Sequence, residues 1–395
     1  MSSVLVINSG SSSLKFAVVD PEAEAPLAEG LAERIGEETG RVTLRTAGGT
    51  EVVDGPIRDH GQAFATVHDL LTSGTGLRAG DLDAVGHRVV HGGPVFSAPA
   101  LVDADVIAAI EATIPLAPLH NPANLLGIRA AMQAFPAVPQ VAVFDTAFHA
   151  SMPPAAYTYA IDTEVAQRHQ LRRYGFHGTS HQYVSKAAAA HLGIPADRID
   201  LVSLHLGNGA SACAIEAGRS VETSMGVGPL EGLVMGTRSG DVDPTIIFTL
   251  AASGMSVADI DTLLNRSSGL RGLCGDNDLR QIAARAEAGD AAASAAREVY
   301  VHRIRKYLGA YLAVLGKADA VVFTAGVGEN DWWIRQQVCE GLEIFGVAID
   351  RASNEGLRAE GMIRDISAAG APIKVLVVPT DEEREIAQQA VQLVT

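Results

Sequence analysis

Residues 4–20 read VLVINSGSSSLKFAVVD, and residues 201–215 read LVSLHLGNGASACAI. Each stretch is an apolar strand, a tight turn of small polar residues and a second strand. Two such hairpins about half a chain apart suggest a duplicated, two-lobed fold. Any two Gly/Ser hairpins look alike, so the echo by itself leaves both duplication and coincidence open. Working outward, residues 85–90, 141–144, 321–324 and 374–378 are further strand candidates. Residues 104–110 and 124–135 read as helices, and 290–315 is the longest helical pattern, with Val301, Ile304, Leu308 and Leu312 on one face. Thr179 or Ser180 is a natural cap for a helix running to Gly193. Strands and helices intermix throughout, which is the α/β class.

A chain of 395 residues exceeds what one hydrophobic core serves. A boundary near residue 150, in the SMPP stretch, divides it into an N-terminal lobe (1–150) and a C-terminal lobe (151–382), with residues 383–395 packing back onto the first. Apolar residues make up 47% and charged residues 19%, as in folded globular proteins. The formal net charge of −16 repels nucleic acid and anionic lipid, so neither is an expected partner. An anionic substrate then needs local positive charge or a metal. Cys213, Cys274 and Cys339 lie far apart and form neither a disulfide framework nor a zinc pattern. The N-terminus lacks a basic leader, and the most apolar later stretch, 308–326, is broken by Lys317 and Asp319. A reduced, cytoplasmic protein without a membrane span is expected.

Three loops could meet phosphate. Asn8, Ser9, Gly10, Ser11, Ser12 and Ser13 expose backbone N–H groups and hydroxyls, and Lys15 follows with charge; a plain polar hairpin is the alternative. His205, Leu206, Gly207, Asn208 and Gly209 form the second turn. Gly326, Val327, Gly328, Glu329 and Asn330 form the third, read as a turn between the strand VVFTA and a helix, where anions are favoured. No GxxxxGK[ST] is present, and the Gly207-x-Gly209-x-x-Ala212 spacing leads into a strand rather than a helix, so neither a P-loop nor a Rossmann site is expected.

Arg88 and Arg238 lie in the glycine-rich loops GHRVVHGG and MGTRSGDVDP, where a guanidinium fork suits carboxylate or phosphate. Asp145 ends an apolar strand and either serves an active site or caps the next turn. His177 and His120 could donate to an oxyanion or be structural. The pairs His87/His91 and His177/His181 lack a third ligand, so zinc is not expected. In the PTDEE stretch (379–383), Thr380 reads as a helix N-cap with Glu383 as its capping-box partner, leaving Glu382 without a structural task.

Nine segments then fall in one order: VINSGSSSLKF, GHRVVHGG, APLHNPAN, VFDTAFH, YGFHGTSHQYV, HLGNGAS, VETSMGVGPLEGLVMGTRSGDVDP, TAGVGEN and PTDEE. Together they resemble the acetate kinase (acetokinase) family from residue 6 to 383. The resemblance implies two duplicated lobes of the actin-like, ribonuclease H-like ATPase type around a nucleotide cleft. It implies reversible, direct in-line phosphoryl transfer from Mg-ATP to acetate, giving acetyl phosphate and ADP, and a homodimer. Carried over by position, Asn8 and Glu382 would hold Mg²⁺ (or Mn²⁺), Lys15 and Ser12 would meet ATP phosphate, and Arg88 would bind the carboxylate. Asp145 would be the essential acid, while His177 and Arg238 would stabilise the transition state with His120 nearby. His205, Leu206, Gly207, Asn208 and Gly209 would contact ATP, as would Gly326, Val327, Gly328, Glu329 and Asn330, with Asp278, Leu279 and Arg280 near the nucleotide. The segment GLCGDNDLR (272–280) departs from the family's small-residue run, and Arg271 interrupts the stretch before it.

The chemistry is coherent without the name. A carboxylate is already ionised near neutral pH, so the difficulty is bringing an anion to a polyanion. That makes Asp145 a group that orients a cation or metal-bound water rather than a nucleophile. Val90, Leu119 and Pro229 are candidate apolar pocket residues near Arg88. Propionate or butyrate kinase activity is the alternative, since one methylene is worth only ~1–3 kcal/mol. A non-catalytic ATP-binding chaperone or filament protein of the same fold would need no carboxylate-binding arginines.

Overall fold

A computed structural model describes residues 2–395, the side chain of Ala79 excepted. Both quoted stretches form hairpins. Strand β1 (Val4–Ser9) pairs antiparallel with β2 (Ser13–Val19), from Val4 opposite Val19 to Ser9 opposite Leu14. The chain divides into two compact units. Unit 1 comprises Met1–Phe148 with Asp381–Thr395, and unit 2 comprises His149–Thr380.

Unit 1 adds β3 (Ala28–Glu33), β4 (Gly40–Thr46), β5 (Gly49–Gly55), β6 (Ala84–Val89), β7 (Ala100–Leu101) and β8 (Gln140–Phe144). They form one sheet in the order β5-β4-β3-β2-β1-β6-β8-β7. Unit 2 holds β9 (Leu201–Leu206), β10 (Ala210–Glu216), β11 (Arg219–Thr223), β12 (Ala320–Thr324), β13 (Arg364–Asp365) and β14 (Lys374–Val377), ordered β11-β10-β9-β12-β14-β13. The five strands β3-β2-β1-β6-β8 and the five strands β11-β10-β9-β12-β14 repeat the same order and the same senses. In each set the first three are antiparallel and the last two are parallel to the middle one. The echo between the hairpins is therefore a duplication of topology, in the ribonuclease H-like plan of the actin-like ATPases.

Period-two alternation builds the unit 1 core. Leu5 and Ile7 face one apolar cluster with Phe16, Val42 and Phe64, while Val4 and Val6 face another with Val141 and Val143. The second cluster is completed by Ile386, Ala387 and Ala390 of the helix Glu382–Val394. That helix packs so closely that a Cβ on Gly86 would lie 2.8 Å from Ile386. The parallel strands β8, β9 and β12 are buried along their whole length, as strands covered on both faces must be. Among the described residues no helix is long and apolar enough to cross a membrane.

Three local expectations are corrected. The helix Gly178–Leu192 is not capped by Thr179 or Ser180; its N-cap is His177 in a left-handed conformation, without a side-chain cap. Residues 326–330 are not a turn before a helix but lie within a short helix, Ala325–Asn330, and the next helix begins at Trp332 under the Asp331 cap. Thr380 does not cap the last helix. Asp381 does, accepting a hydrogen bond from the Arg384 N–H at 2.9 Å, which makes Glu382 and Glu383 the first two helical residues and removes the Thr380–Glu383 capping box. Both Thr380 and Asp381 have a suitable side chain, but the Thr380 hydroxyl is engaged at 2.7 Å with Ser180, two hundred residues away.

Candidate functional site

In unit 1 the candidates gather where parallel strands end. Asn8 is one residue from the end of β1 and pairs with Lys15 across the hairpin; Arg88 is the penultimate residue of β6, and Asp145 follows β8 directly. Since β1, β6 and β8 run parallel, their carboxyl ends share one edge, the usual position for a ligand site in an open α/β sheet. Arg88 donates through Nε to Asp145 Oδ1 (3.0 Å) and through Nη2 to Oδ2 (2.6 Å), a fork-to-fork pair. Asp145 is fully buried, and its N–H donates to the Val89 carbonyl at 3.0 Å, so the acid is held by the sheet itself. Glu382 Oε2 lies 3.6 Å from Arg88 Nε. Burial disfavours the guanidinium charge, but Asp145 and then Glu382 outweigh it, so the Arg88 pKa rises above its ordinary value.

Asn8, Lys15, Arg88, Glu382 and Glu383 line one small cavity of about 10 Å³, room for one water-sized species. Lys15 is hydrogen-bonded to Glu383. Burial works against the Lys15 charge, yet Glu383 and Glu382 raise its pKa overall. The remaining unit 1 candidates lie elsewhere. Ser12 is exposed, with its carbonyl accepting from the Ile35 N–H at 2.9 Å. His120 is exposed at the start of the helix Asn121–Ala134. Leu119 is exposed, and neither it nor Val90 lines the cavity.

Sequence reasoning overlooked two asparagines of that helix. Asn124 donates to the Ser9 carbonyl (2.9 Å) and accepts from the Val90 N–H (3.1 Å), tying the ends of β1 and β6 together. Asn121 grips both the N–H and the carbonyl of His91. The signal was the HNPAN run, whose amides are buried on a helix that also packs apolar residues.

In unit 2 the turn between β9 and β10 is the organising feature. A Cβ on Gly209 would lie 2.9 Å from Arg238 Nη2 and 3.4 Å from His177 Nε2, so the turn, Arg238 and His177 are brought together and a side chain at 209 would displace the Arg238 guanidinium. His177 Nδ1 shares a 2.9 Å hydrogen bond with the Ser211 hydroxyl, and its ring stacks on His205 at 4.2 Å. His205 Nδ1 is bonded to Ser180 Oγ at 2.8 Å. Arg238 donates to the Pro229 carbonyl (2.6 Å), and burial pulls its pKa below the ordinary value. Among the described residues no carboxylate pairs with it. The loop carrying Arg238 is itself held by Arg173, which sequence reasoning missed. That guanidinium donates to the carbonyls of Thr223, Ser224 and Met225 and to Glu231.

A second cavity in unit 2, of about 780 Å³, is within the range of nucleotide-sized sites. It is lined by eight of the expected ATP-binding residues: Gly207, Asn208, Asp278, Leu279, Arg280, Gly326, Val327 and Asn330. His205, Leu206, Gly209, Gly328 and Glu329 are not on its wall. Glu329 instead accepts from the Thr380 N–H at 3.1 Å, and burial raises its pKa. Asp278 caps the helix Leu279–Glu287 and forks onto Arg280 at 3.0 and 2.6 Å. The cavity also receives Trp332 and Trp333, the latter under the Arg297 guanidinium at 3.6 Å.

Among the described residues no group of three or more His, Cys, Asp or Glu is arranged to hold a metal. A hard ion such as Mg²⁺ needs less, because it keeps several waters and is bound by one or two protein oxygens together with substrate phosphates. Asn8 and Glu382, both on the small unit 1 cavity, are a donor set of that kind.

A duplicated actin-like frame, with glycine-rich turns after equivalent strands, a nucleotide-sized cavity and two partly buried arginines, has the plan of the actin-like ATP-dependent kinases. The sequence profile of the acetokinase family matches residues 3–388, and the chain belongs to that family. It is 56% identical to the acetate kinase of Streptomyces coelicolor, over 99% of this chain and 97% of that one. The crystal structure of Porphyromonas gingivalis acetate kinase superposes with a TM-score of 0.94 at 42% identity, covering 100% of both chains. A propionate kinase from Francisella tularensis superposes with a TM-score of 0.92, also at 42% identity, over 99% of this chain and 100% of that one.

Proposed function

We propose that the protein transfers the γ-phosphoryl group of ATP to acetate, reversibly and in line. An acetate oxygen forms a bond to phosphorus while the bond to the ADP oxygen breaks, giving acetyl phosphate and ADP. The observation that carries this reading is the Arg88–Asp145 fork beside Asn8, Lys15 and Glu382. A guanidinium clamped by a buried carboxylate keeps its orientation and its charge, and it suits a second carboxylate bidentately. In this assignment Arg88 takes acetate, and Asp145 aims Arg88 rather than exchanging a proton. Lys15 and Ser12 serve the ATP phosphates.

Arg238, a cation weakened by burial, gains most when negative charge develops on the transferring group, and His177 donates beside it. His120 is assigned a lesser role at the acceptor. His205, Leu206, Gly207, Asn208 and Gly209, with Asp278, Leu279, Arg280, Gly326, Val327, Gly328, Glu329 and Asn330, are assigned to binding ATP. Eight of these line the 780 Å³ cavity, and the others support its loops. Mg²⁺ or Mn²⁺, held by Asn8 and Glu382, would neutralise charge on the polyphosphate.

The 56% identity to a protein named acetate kinase favours acetate, while the close superposition of a propionate kinase supports propionate as the second reading. Trapping acyl phosphate with hydroxylamine across acetate, propionate and butyrate separates them. Acetate is expected to have the highest kcat/KM. A preference for propionate would move the acceptor assignment, and no acyl phosphate from any of the three would end the kinase reading.

We further assign a cytoplasmic homodimer. Three free cysteines, all buried, are compatible with a reducing compartment. The helix Thr245–Ala252 has no buried residue and exposes Ile246, Ile247 and Phe248, an apolar face suited to a second copy.

A further inference from the structure

Arg335 is the largest fully buried side chain in the described protein, and among the described residues no carboxylate pairs with it. A buried cation without a counter-ion is costly unless its donors are fully used. Burial accordingly pulls its pKa down to about 10, with Asp331 and Cys339 only partly opposing the shift. The donors are spent in a particular way. Nη1 donates to the Gly328 carbonyl (2.8 Å), Nη2 to the Leu357 carbonyl (2.8 Å) and Nε to Asn354 Oδ1 (2.8 Å). Asn354, also fully buried, passes its own Nδ2 donor to the Trp332 carbonyl at 2.9 Å.

The three carbonyls belong to two wall segments of the 780 Å³ cavity. Gly328 and Trp332 lie in the run 326–333, most of which lines the wall, and Leu357 lies between the lining residues Gly356 and Arg358. No strand ladder joins the two segments, although the Ala359 N–H donates to the Glu329 carbonyl at 3.3 Å. We propose that Arg335, acting with Asn354, is a positioning residue for the nucleotide: the pair fixes the two cavity walls in one arrangement without touching the ligand. The proposal rests on the assignment of this cavity to ATP. A planar fork is required, since a lysine supplies charge but cannot reach three acceptors in one plane.

The test compares Arg335→Lys, Asn354→Ala, their double variant and a wall control, Val327→Glu. The readouts are the Kd for Mg-ADP by calorimetry, KM for ATP, KM for acetate and kcat, each normalised to folded protein by circular dichroism. Loss of a buried charge-assisted hydrogen bond corresponds to about tenfold in affinity. The Kd for ADP and the KM for ATP should therefore rise about tenfold in either single variant, while KM for acetate and kcat at saturating ATP stay within about twofold. The double variant should be no worse than Arg335→Lys alone, since the two residues act as one unit. An unchanged Kd for ADP in folded Arg335→Lys, or an equal rise in the KM for acetate, overturns the proposal. Should Arg335→Lys not fold, Asn354→Ala decides by the same criteria. If Val327→Glu leaves ADP binding intact, the cavity is not the nucleotide site and both assignments fall. If Val327→Glu weakens ADP and neither Arg335→Lys nor Asn354→Ala does, only the positioning role falls.

Discussion

At the scale of single residues, the two arginines differ in their surroundings, and the proposed division of work follows that difference. Arg88 is held by Asp145, whereas Arg238 has only the Pro229 carbonyl and a shift caused by burial. Arg88→Ala is expected to raise the KM for acetate, with a smaller effect on kcat. Arg238→Ala is expected to lower kcat by ~10³-fold or more, as for other arginines that stabilise phosphoryl-transfer transition states. Steady-state kinetics on both variants check the division, and a loss below about tenfold for Arg238→Ala would remove it from the catalytic set. The acids near residue 380 divide as well. Asp381→Ala removes a helix cap and should cost about 1 kcal/mol in stability with activity kept, whereas Glu382→Gln should keep the fold and raise the Mg²⁺ concentration needed for half-maximal rate. Melting temperatures and Mg²⁺ titrations of the two variants read this out. If Asp381→Ala is the variant with the raised Mg²⁺ requirement, the metal assignment moves one residue back.

Elements show what could and could not be read from local sequence. The hairpins of β1/β2 and β9/β10 were legible because apolar alternation on both sides of a small polar turn has few other solutions. The shift of the cap from Thr380 to Asp381 was not legible, because the competing partner of the Thr380 hydroxyl, Ser180, is remote in sequence and adjacent only in space. The helical state of Ala325–Asn330 was hidden by two glycines that normally signal a turn. Nothing in DWWIRQQV announces that the Arg335 guanidinium is buried among carbonyls. The most apolar short helix, Thr245–Ala252, is also the least covered. Phe248, 70% exposed, is its most prominent side chain. If the assigned homodimer forms through this face, Phe248→Asp is expected to give a monomer in light scattering with multi-angle detection, while leaving the circular dichroism spectrum unchanged. A monomeric parent protein would refute the assignment of this face.

On the scale of the molecule, both units bury neutral histidine. His87 in unit 1 and His149 in unit 2 are each lowered to about 4, chiefly by burial, and His181 in unit 2 is lowered by burial with His149 and His205 adding to it. At His87 and His149 the unfolded chain binds protons from pH 6.5 downward, whereas the folded chain does not until about pH 4. Stability contributed by the neutral rings is thus intact above pH 6.5 and is lost as the pH falls toward 4, by about 3 kcal/mol for each of His87 and His149. Denaturant midpoints measured between pH 7.5 and 4.5 should fall steeply across that window. Constant midpoints would mean that these rings are already charged or already exposed in the native protein. Two turns suggested the duplication of the sheets but left coincidence open. The return of residues 383–395 to the first lobe was expected from the sequence, but the residues that make it, Ile386, Ala387 and Ala390 against strands hundreds of positions earlier, were not legible.

That return has a consequence for biosynthesis. Unit 2 is one continuous stretch, His149–Thr380, and can close as soon as it has been made. Unit 1 cannot: one face of its sheet is covered by Ile386, Ala387 and Ala390, which leave the ribosome only after all of unit 2. At translation rates of roughly 5–20 residues per second, that face waits on the order of ten to fifty seconds for its cover. Of the two units, the one begun first is therefore completed second. Glu382, the carboxylate assigned to the metal, arrives on the same helix, so unit 1 acquires it only after unit 2 has been made.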